Sequence, residues 1–167
     1  MDCGKIRDFR PDDAPAVNAI ALAGFRQYQG HYDDGAAFLR DVGAMSALAH
    51  TSEIIVALAE GRIAGAVGYV GPDRPKPAQF DPSWAIIRML VVDPASRGRG
   101  LGGALTRECI RRAERDRAAV IALHTSPFMT VALEMYLQLG FEPHQEGPPV
   151  RGAPTKVYVK RLAVSAT

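Results

Sequence analysis

The chain has 167 residues, 47% of them hydrophobic and 23% charged, with a formal net charge of +2. That is the profile of one ordinary globular domain, residues 1–167, long enough to bury a core. No apolar run approaches the length needed to cross a bilayer, and Met1-Asp2-Cys3-Gly4-Lys5 lacks a signal-peptide core, so a cytoplasmic protein without a membrane partner is expected.

In chain order, Cys3 falls in a terminus expected to be loose. Lys5 to Arg10 alternates Ile6, Asp8 and Arg10 against Arg7 and Phe9, which predicts a short strand. Pro11-Asp12-Asp13 then opens a helix with Val17, Ile20, Ala21 and Gly24 at helical spacing. Gly30 to Gly35 is a break, and Asp33-Asp34 begin a second helix carrying Phe38, Leu39, Val42, Met45 and Leu48. Glu53 to Ala59 and Ile63 to Val70 read as strands joined by a tight turn at Glu60-Gly61-Arg62. Pro72, Pro75, Pro77 and Pro82 fill a surface connection to an apolar strand containing Ile86, Ile87, Met89, Leu90, Val91 and Val92.

That strand leads into the most informative stretch of the chain, Asp93-Pro94-Ala95-Ser96-Arg97-Gly98-Arg99-Gly100-Leu101-Gly102-Gly103, which runs into a helix starting near Gly100. Glycines let backbone come close to a ligand, and a helix start leaves N–H groups without internal partners. With the positive end of the helix dipole and the guanidinium groups of Arg97 and Arg99, they predict a phosphate or pyrophosphate site. Gly98, Gly100 and Gly103 also match G-x-G-x-x-G, the dinucleotide fingerprint. Against that reading, Asp93 to Ser96 lengthen a turn that should be tight. Leu123 and His124 lie where an acidic ribose ligand belongs, and too little chain remains for a nucleotide domain. No Gly-Lys-Ser/Thr is present after the loop, which excludes a Walker A site.

The helix runs to about Arg115, with Cys109 in its apolar arc as a buried free thiol. Seven arginines between Arg97 and Arg117 face only Glu108, Glu114 and Asp116, a local balance of +4. A solvated face plus one phosphate site accounts for this better than nucleic acid does. Val120 to Leu123 predicts a buried strand, and Thr125-Ser126-Pro127 a cap for a helix with Met129, Ala132, Leu133 and Tyr136 on one face. Gly140 ends that helix, Phe141 begins a strand, a proline-rich loop (Pro143, Pro148, Pro149, Pro154) comes next, and Thr155 to Leu162 is the last strand. The two cysteines and four histidines show no metal-ligand spacing, so no metal is expected.

Two motifs carry a resemblance. Arg97-Gly98-Arg99-Gly100-Leu101-Gly102 fits Arg/Gln-x-x-Gly-x-Gly/Ala, and Tyr136-Leu137-Gln138-Leu139-Gly140-Phe141 fits Tyr-x-x-x-Gly-Phe. In this order, with a strand between them, they resemble the GNAT superfamily of acyl-CoA N-acyltransferases. The resemblance is specific over about residues 84 to 142 and extends to the whole chain by element order, βααβββαβαββ. It implies an α/β (α+β) fold: a mixed, mostly antiparallel sheet of six or seven strands flanked by about four helices. It further implies N-acetyl transfer from acetyl-CoA to a primary amine by direct attack. Leu90, Val91, Val92, Arg97, Gly98, Arg99, Gly100, Leu101, Gly102 and Gly103 would then hold the cofactor, the Leu90 N–H would face the oxyanion and Tyr136 would be the general acid. The strands around Leu90 to Val92 and Val120 to Leu123 would be splayed, and Tyr28, His31, Tyr32, Asp33 and Asp34 would lie beside the acceptor.

Two departures stand out: Ile86 and Ile87 where many relatives have a glutamate, and Met129 where many have an asparagine. His124 is the nearest titratable candidate for a base. The missing glutamate motivates a second reading, a CoA-binding sensor or partner module without turnover; NAD(P) binding is a third. The acceptor, a small-molecule or peptide amine, stays open among amino acids, polyamines, antibiotics, peptide N-termini and protein lysines. Seven acids against five bases in residues 1–50 lean toward a cationic one. A homodimer is left open.

Overall fold

The strands are β1 (Lys5–Asp8), β2 (Glu53–Ala59), β3 (Arg62–Val70), β4 (Ala85–Val92), β5 (Val120–Thr125), β6 (Glu142–Val150) and β7 (Ala153–Arg161). The helices are α1 (Ala14–Phe25), α2 (Gly35–Val42), α3 (Leu101–Arg115) and α4 (Thr130–Gln138). The structure, a computed structural model, describes residues 5–163, so Cys3 lies outside the described residues. The seven strands form one mixed sheet in the order β1-β2-β3-β4-β5-β7-β6. Every pairing is antiparallel except β4 with β5. This is the α/β arrangement and element order expected from the sequence.

Alternation along the strands assigns the two faces. One face, with Ile55, Val67, Tyr69, Ile87, Ile121 and Leu123, packs on Leu101, Leu105 and Cys109 of α3 and Tyr136 of α4. The other is covered in two parts. Ile54, Val56, Ala66 and Val91 meet Val17, Ile20 and Ala21 of α1. Val70, Ile86, Ala122 and Val157 lie with Phe80, and Trp84 packs against the same group. The proline-rich connection before β4 is therefore anchored by a buried aromatic instead of lying wholly at the surface. Cys109 is fully buried, and burial pushes its thiol pKa up.

Three expectations are corrected. Helix α2 stops at Val42, and Met45 sits in a separate 3-10 turn, Met45–His50. Gly43 closes α2 by donating its N–H to Leu39, and the chain then turns to bury Met45 against α1. Most of the expected proline loop is strand β6, with Pro154 already in β7. Strand β6 is the sheet's last, where proline's missing N–H is tolerated, and its register shifts between Pro143/Gln145 and Gly147/Val150. Finally, α4 begins at Thr130 with Met129 as its N-cap and no side-chain cap, while Thr125 belongs to β5 and Met129 donates its N–H to the Ser126 carbonyl in a preceding turn. Its other end agrees closely with the sequence. Gly140 has φ +95°, and Phe141 and Gly140 donate N–H groups to the carbonyls of Tyr136 and Leu137, a Schellman close.

Candidate active site

The site grows out of a break in the sheet. β4 and β5 pair only at Ala85↔Ile121 and Ile86↔Ala122; beyond that the strands part. On its other side β4 stays paired with β3, where Met89 and Leu90 stand opposite the single residue Val67. Such a bulge bends its strand, and Met89 adopts φ +54° to make it. The Asp93 N–H returns to the Ala64 carbonyl (2.7 Å). By alternation, the N–H groups of Val92 and Leu90 point away from β3, into the gap.

A cavity of about 350 Å³ occupies the mouth of that gap. Leu90, Val91, Val92, Arg97, Gly98, Gly100, Leu101, Gly102 and Gly103 line it together, so nine of the ten residues singled out for the cofactor converge. Arg99 is the exception: its guanidinium faces Glu60 at 3.6 Å. Gly98 (φ +82°) and Gly100 (φ +76°) hold left-handed conformations with open space where a β-carbon would stand. Helix α3 has no side-chain cap, and its first internal bond runs from the Ala104 N–H to the Gly100 carbonyl. Leu101, Gly102 and Gly103 therefore present backbone N–H groups without helical partners at the positive end of the dipole.

Arg97, besides lining the cavity, makes a contact the sequence did not suggest. Its guanidinium donates to Gln27 Oε1 (3.1 Å) and the Gly24 carbonyl (3.3 Å), tying the loop to α1. Sequence reasoning passed over Arg107, whose guanidinium folds back to within 3.3 Å of where a Gly103 β-carbon would lie. Its spacing of i+4 from Gly103 was the available signal. Gly24, Phe25 and Tyr28 from one side and Met129, Ala132 and Met135 from the other complete the walls; Tyr28 and Met129 were expected near the site, whereas Gly24, Phe25, Ala132 and Met135 were missed as walls because α1 and α4 reach it only in three dimensions.

Tyr136 is buried, its ring edge-on to Phe141 at 5.7 Å, and it does not line the cavity, although Ala132 and Met135 of the same helix do. Burial drives its hydroxyl pKa well above the ordinary value, so it is held as the neutral acid. Ile86 and Ile87 are both core residues, on opposite faces. Of the residues expected near an acceptor, Tyr28 lines the cavity, His31 stacks on Phe128 (4.0 Å), and Tyr32 stacks on Phe38 (3.7 Å). Burial raises the Tyr32 hydroxyl pKa to about 12, partly offset by Ser126. Asp34 caps α2 by accepting from the Ala37 N–H. His124 lies 3.1 Å through Nδ1 from the Gln79 side-chain nitrogen. That amide can only donate, so Nδ1 accepts and Nε2 carries the proton. Burial first, and Arg88 second, lower the His124 pKa, leaving a neutral ring that offers an N–H.

Among the described residues no cluster of His, Cys, Asp or Glu could hold a metal ion, and no helix is long and apolar enough to cross a membrane. No curated protein matches the chain by sequence. The fold is similar to that of several solved acetyltransferases. A Corynebacterium glutamicum protein described as histone acetyltransferase HPA2 and related acetyltransferase has a TM-score of 0.75 at 22% identity, with 98% of this chain and 99% of that one covered. The PaiA N-acetyltransferase of Thermoplasma acidophilum, solved in complex with coenzyme A, has a TM-score of 0.74 at 15% identity, covering 95% and 98%. The putative acetyltransferase YncA of Salmonella typhimurium, solved with its cofactor acetyl-CoA, gives 0.68 at 20% identity, covering 99% and 98%. The model of the Acetyltransferase (GNAT) family matches residues 15–141, which span the gap, the glycine loop and both motifs, and the chain belongs to that family.

Proposed function

We propose that the chain is an N-acetyltransferase that moves an acetyl group from acetyl-CoA to the primary amine of a small molecule or peptide, by direct attack within a ternary complex. The observation that carries this reading is the pairing of an uncapped glycine-rich helix start with a strand that has lost its neighbour, around one cavity. The diphosphate of coenzyme A suits the open N–H groups of Leu101 to Gly103, with the glycines leaving space for it and Arg107 close by. An extended pantetheine arm, with its amides, suits the unpaired edge of β4 as an added strand would. When bound, acetyl-CoA supplies the thioester.

The chain supplies donors for the transfer. The Leu90 N–H, turned into the gap by the bulge, would stabilise negative charge on the thioester oxygen; one such donor is typically worth about 3 kcal/mol of barrier. Tyr136, at the position of the family's general acid and next to the cavity-lining Met135, would protonate the leaving sulfur. With Nδ1 facing the Gln79 amide and burial lowering its pKa, His124 is a poor base, and an amine arriving neutral or deprotonated through water fits better.

A second reading, a CoA-binding sensor without turnover, draws on Ile86 and Ile87, which bury hydrocarbon where a carboxylate could have taken the amine's proton. Thiol release from acetyl-CoA across a panel of primary amines separates the two. Amine-dependent release supports the transferase; tight acetyl-CoA binding with no release from any amine supports the sensor.

A further inference from the structure

Arg88 is a charged group for which the transfer chemistry has no use. In the parallel register Ile86 pairs with Ala122, so Arg88 and His124 are the next residues on the same face, one on each side of the point where β4 and β5 separate. Arg88 is half-buried. It stands opposite Gly68 of β3, where an added β-carbon would meet the Arg88 carbonyl oxygen at 3.2 Å, the Arg88 β-carbon at 3.5 Å and Leu48 at 3.5 Å. Burial is the sole influence on its pKa, which it lowers; among the described residues no carboxylate comes close enough to oppose that. Three of the four arginines of α3 behave differently. Arg111 is held by Glu108, Arg112 by Asp8, Glu53 and Glu108, and Arg115 by Glu53 and Asp116.

A half-buried guanidinium without a counter-ion is costly unless something else supplies the charge. Its neighbour across the gap is another donor, since Gln79 leaves the proton of His124 on Nε2. Two donors flank the opening, and among the described residues no carboxylate acts on either of them. Four of the acids that suggested a cationic acceptor are engaged elsewhere, Asp8 on Arg112, Asp13 on Arg7, Asp34 on the start of α2 and Asp41 on Arg151, while the Asp33 carboxylate lies against Gly152 at the β6–β7 turn.

We propose that the acceptor amine itself carries a carboxylate, gripped by Arg88 with His124 donating beside it, so that the substrate class is a small amino acid. The planar fork of arginine matches a carboxylate bidentately. Phe80, ring centroid 5.8 Å from that of His124, offers apolar surface beside the same face. This inference rests on the transferase reading above, and its test is built so that the two can fail separately.

The test compares common α-amino acids with their amides and with the corresponding decarboxylated amines, for the wild type, Arg88→Gln and Arg88→Lys. Thiol release is measured with acetyl-CoA, and amino-acid binding to the CoA-loaded protein by calorimetry. For at least one amino acid, kcat/KM should exceed that of its amide by about ten- to hundredfold, and Arg88→Gln should erase the difference chiefly through KM. Arg88→Lys should restore part of it. An unchanged midpoint shift with CoA shows that each variant is folded. Equal turnover of acids and amides, or a preference that survives Arg88→Gln, overturns the carboxylate assignment and leaves the transferase standing. Arg88-dependent amino-acid binding without thiol release supports the assignment and overturns the transferase. Failure of every amino acid both to bind and to react overturns the assignment.

Discussion

Ile86 of β4 and Ala122 of β5 are the last residues these strands pair, and the site is a consequence of that one termination. Past it, β4 bulges at Met89 and Leu90. Tyr136 of α4 packs on the sheet face that β5 continues, so the strand that leaves and the helix that carries the proposed acid are held by one core. Tyr136→Phe removes only the hydroxyl from a ring fixed against Phe141. We expect kcat to fall by about a hundredfold or more with acetyl-CoA affinity nearly unchanged. Steady-state kinetics with calorimetric cofactor binding checks both; unchanged turnover removes Tyr136 from the mechanism.

Gly24 of α1 lets that helix lie directly on β4. A β-carbon there would come within 2.4 Å of Val91 Cγ2 and 3.3 Å of the Val92 carbonyl oxygen. Gly24→Ala should therefore destabilise the protein by about 1–3 kcal/mol in urea denaturation, despite alanine's better helix propensity. Val91→Ala removes the first obstacle, so the double variant should recover part of the loss.

The Arg111 guanidinium first, and Arg112 second, hold the Glu108 carboxylate down to about 2, against an ordinary value of 4.5. A carboxyl depressed on folding stabilises the native state above its unfolded pKa and loses that contribution as pH falls toward the folded one. The stability advantage of the wild type over Glu108→Gln should be full above pH about 4.5 and shrink toward pH about 2. Denaturation midpoints of the pair across that range test it; an advantage independent of pH contradicts the ion pair's role.

Local signals were legible in the sequence because glycine and periodicity report local geometry. Gly98, Gly100 and Gly140 mark left-handed backbone, Glu60-Gly61 the hairpin, and Val17, Ile20, Ala21 and Gly24 the buried stripe of α1. The prolines of β6 misled because they forbid a central strand but not one at the sheet's end, and strand order is not local. Met45 and Leu48 continue a helical spacing past Gly43, although the chain breaks there and reaches the core by a turn. Arg88, Gln79 and Arg107 carried no motif; their meaning comes from what stands across a gap, beside a histidine or above a glycine. Arg97 and Arg99 looked equivalent, yet one ties the loop to α1 and the other turns toward Glu60.

At the head of α3, Gly102 is the position where diphosphate binding can be blocked without disturbing the fold. Its added β-carbon would make only ordinary contacts, 3.8 Å to Val92, 3.9 Å to Leu90 and 4.0 Å to Met135, so Gly102→Glu should fold while sending a carboxylate into the cavity. Calorimetric titration of acetyl-CoA, NAD and ATP into wild type and Gly102→Glu is the measurement. We expect saturable binding of acetyl-CoA alone by the wild type, and at least a hundredfold weaker binding by the folded variant, on the order of the penalty for an unpaired charge. Normal acetyl-CoA affinity in folded Gly102→Glu, or a wild type that binds NAD and ignores acetyl-CoA, would contradict acetyl-CoA binding at the head of α3.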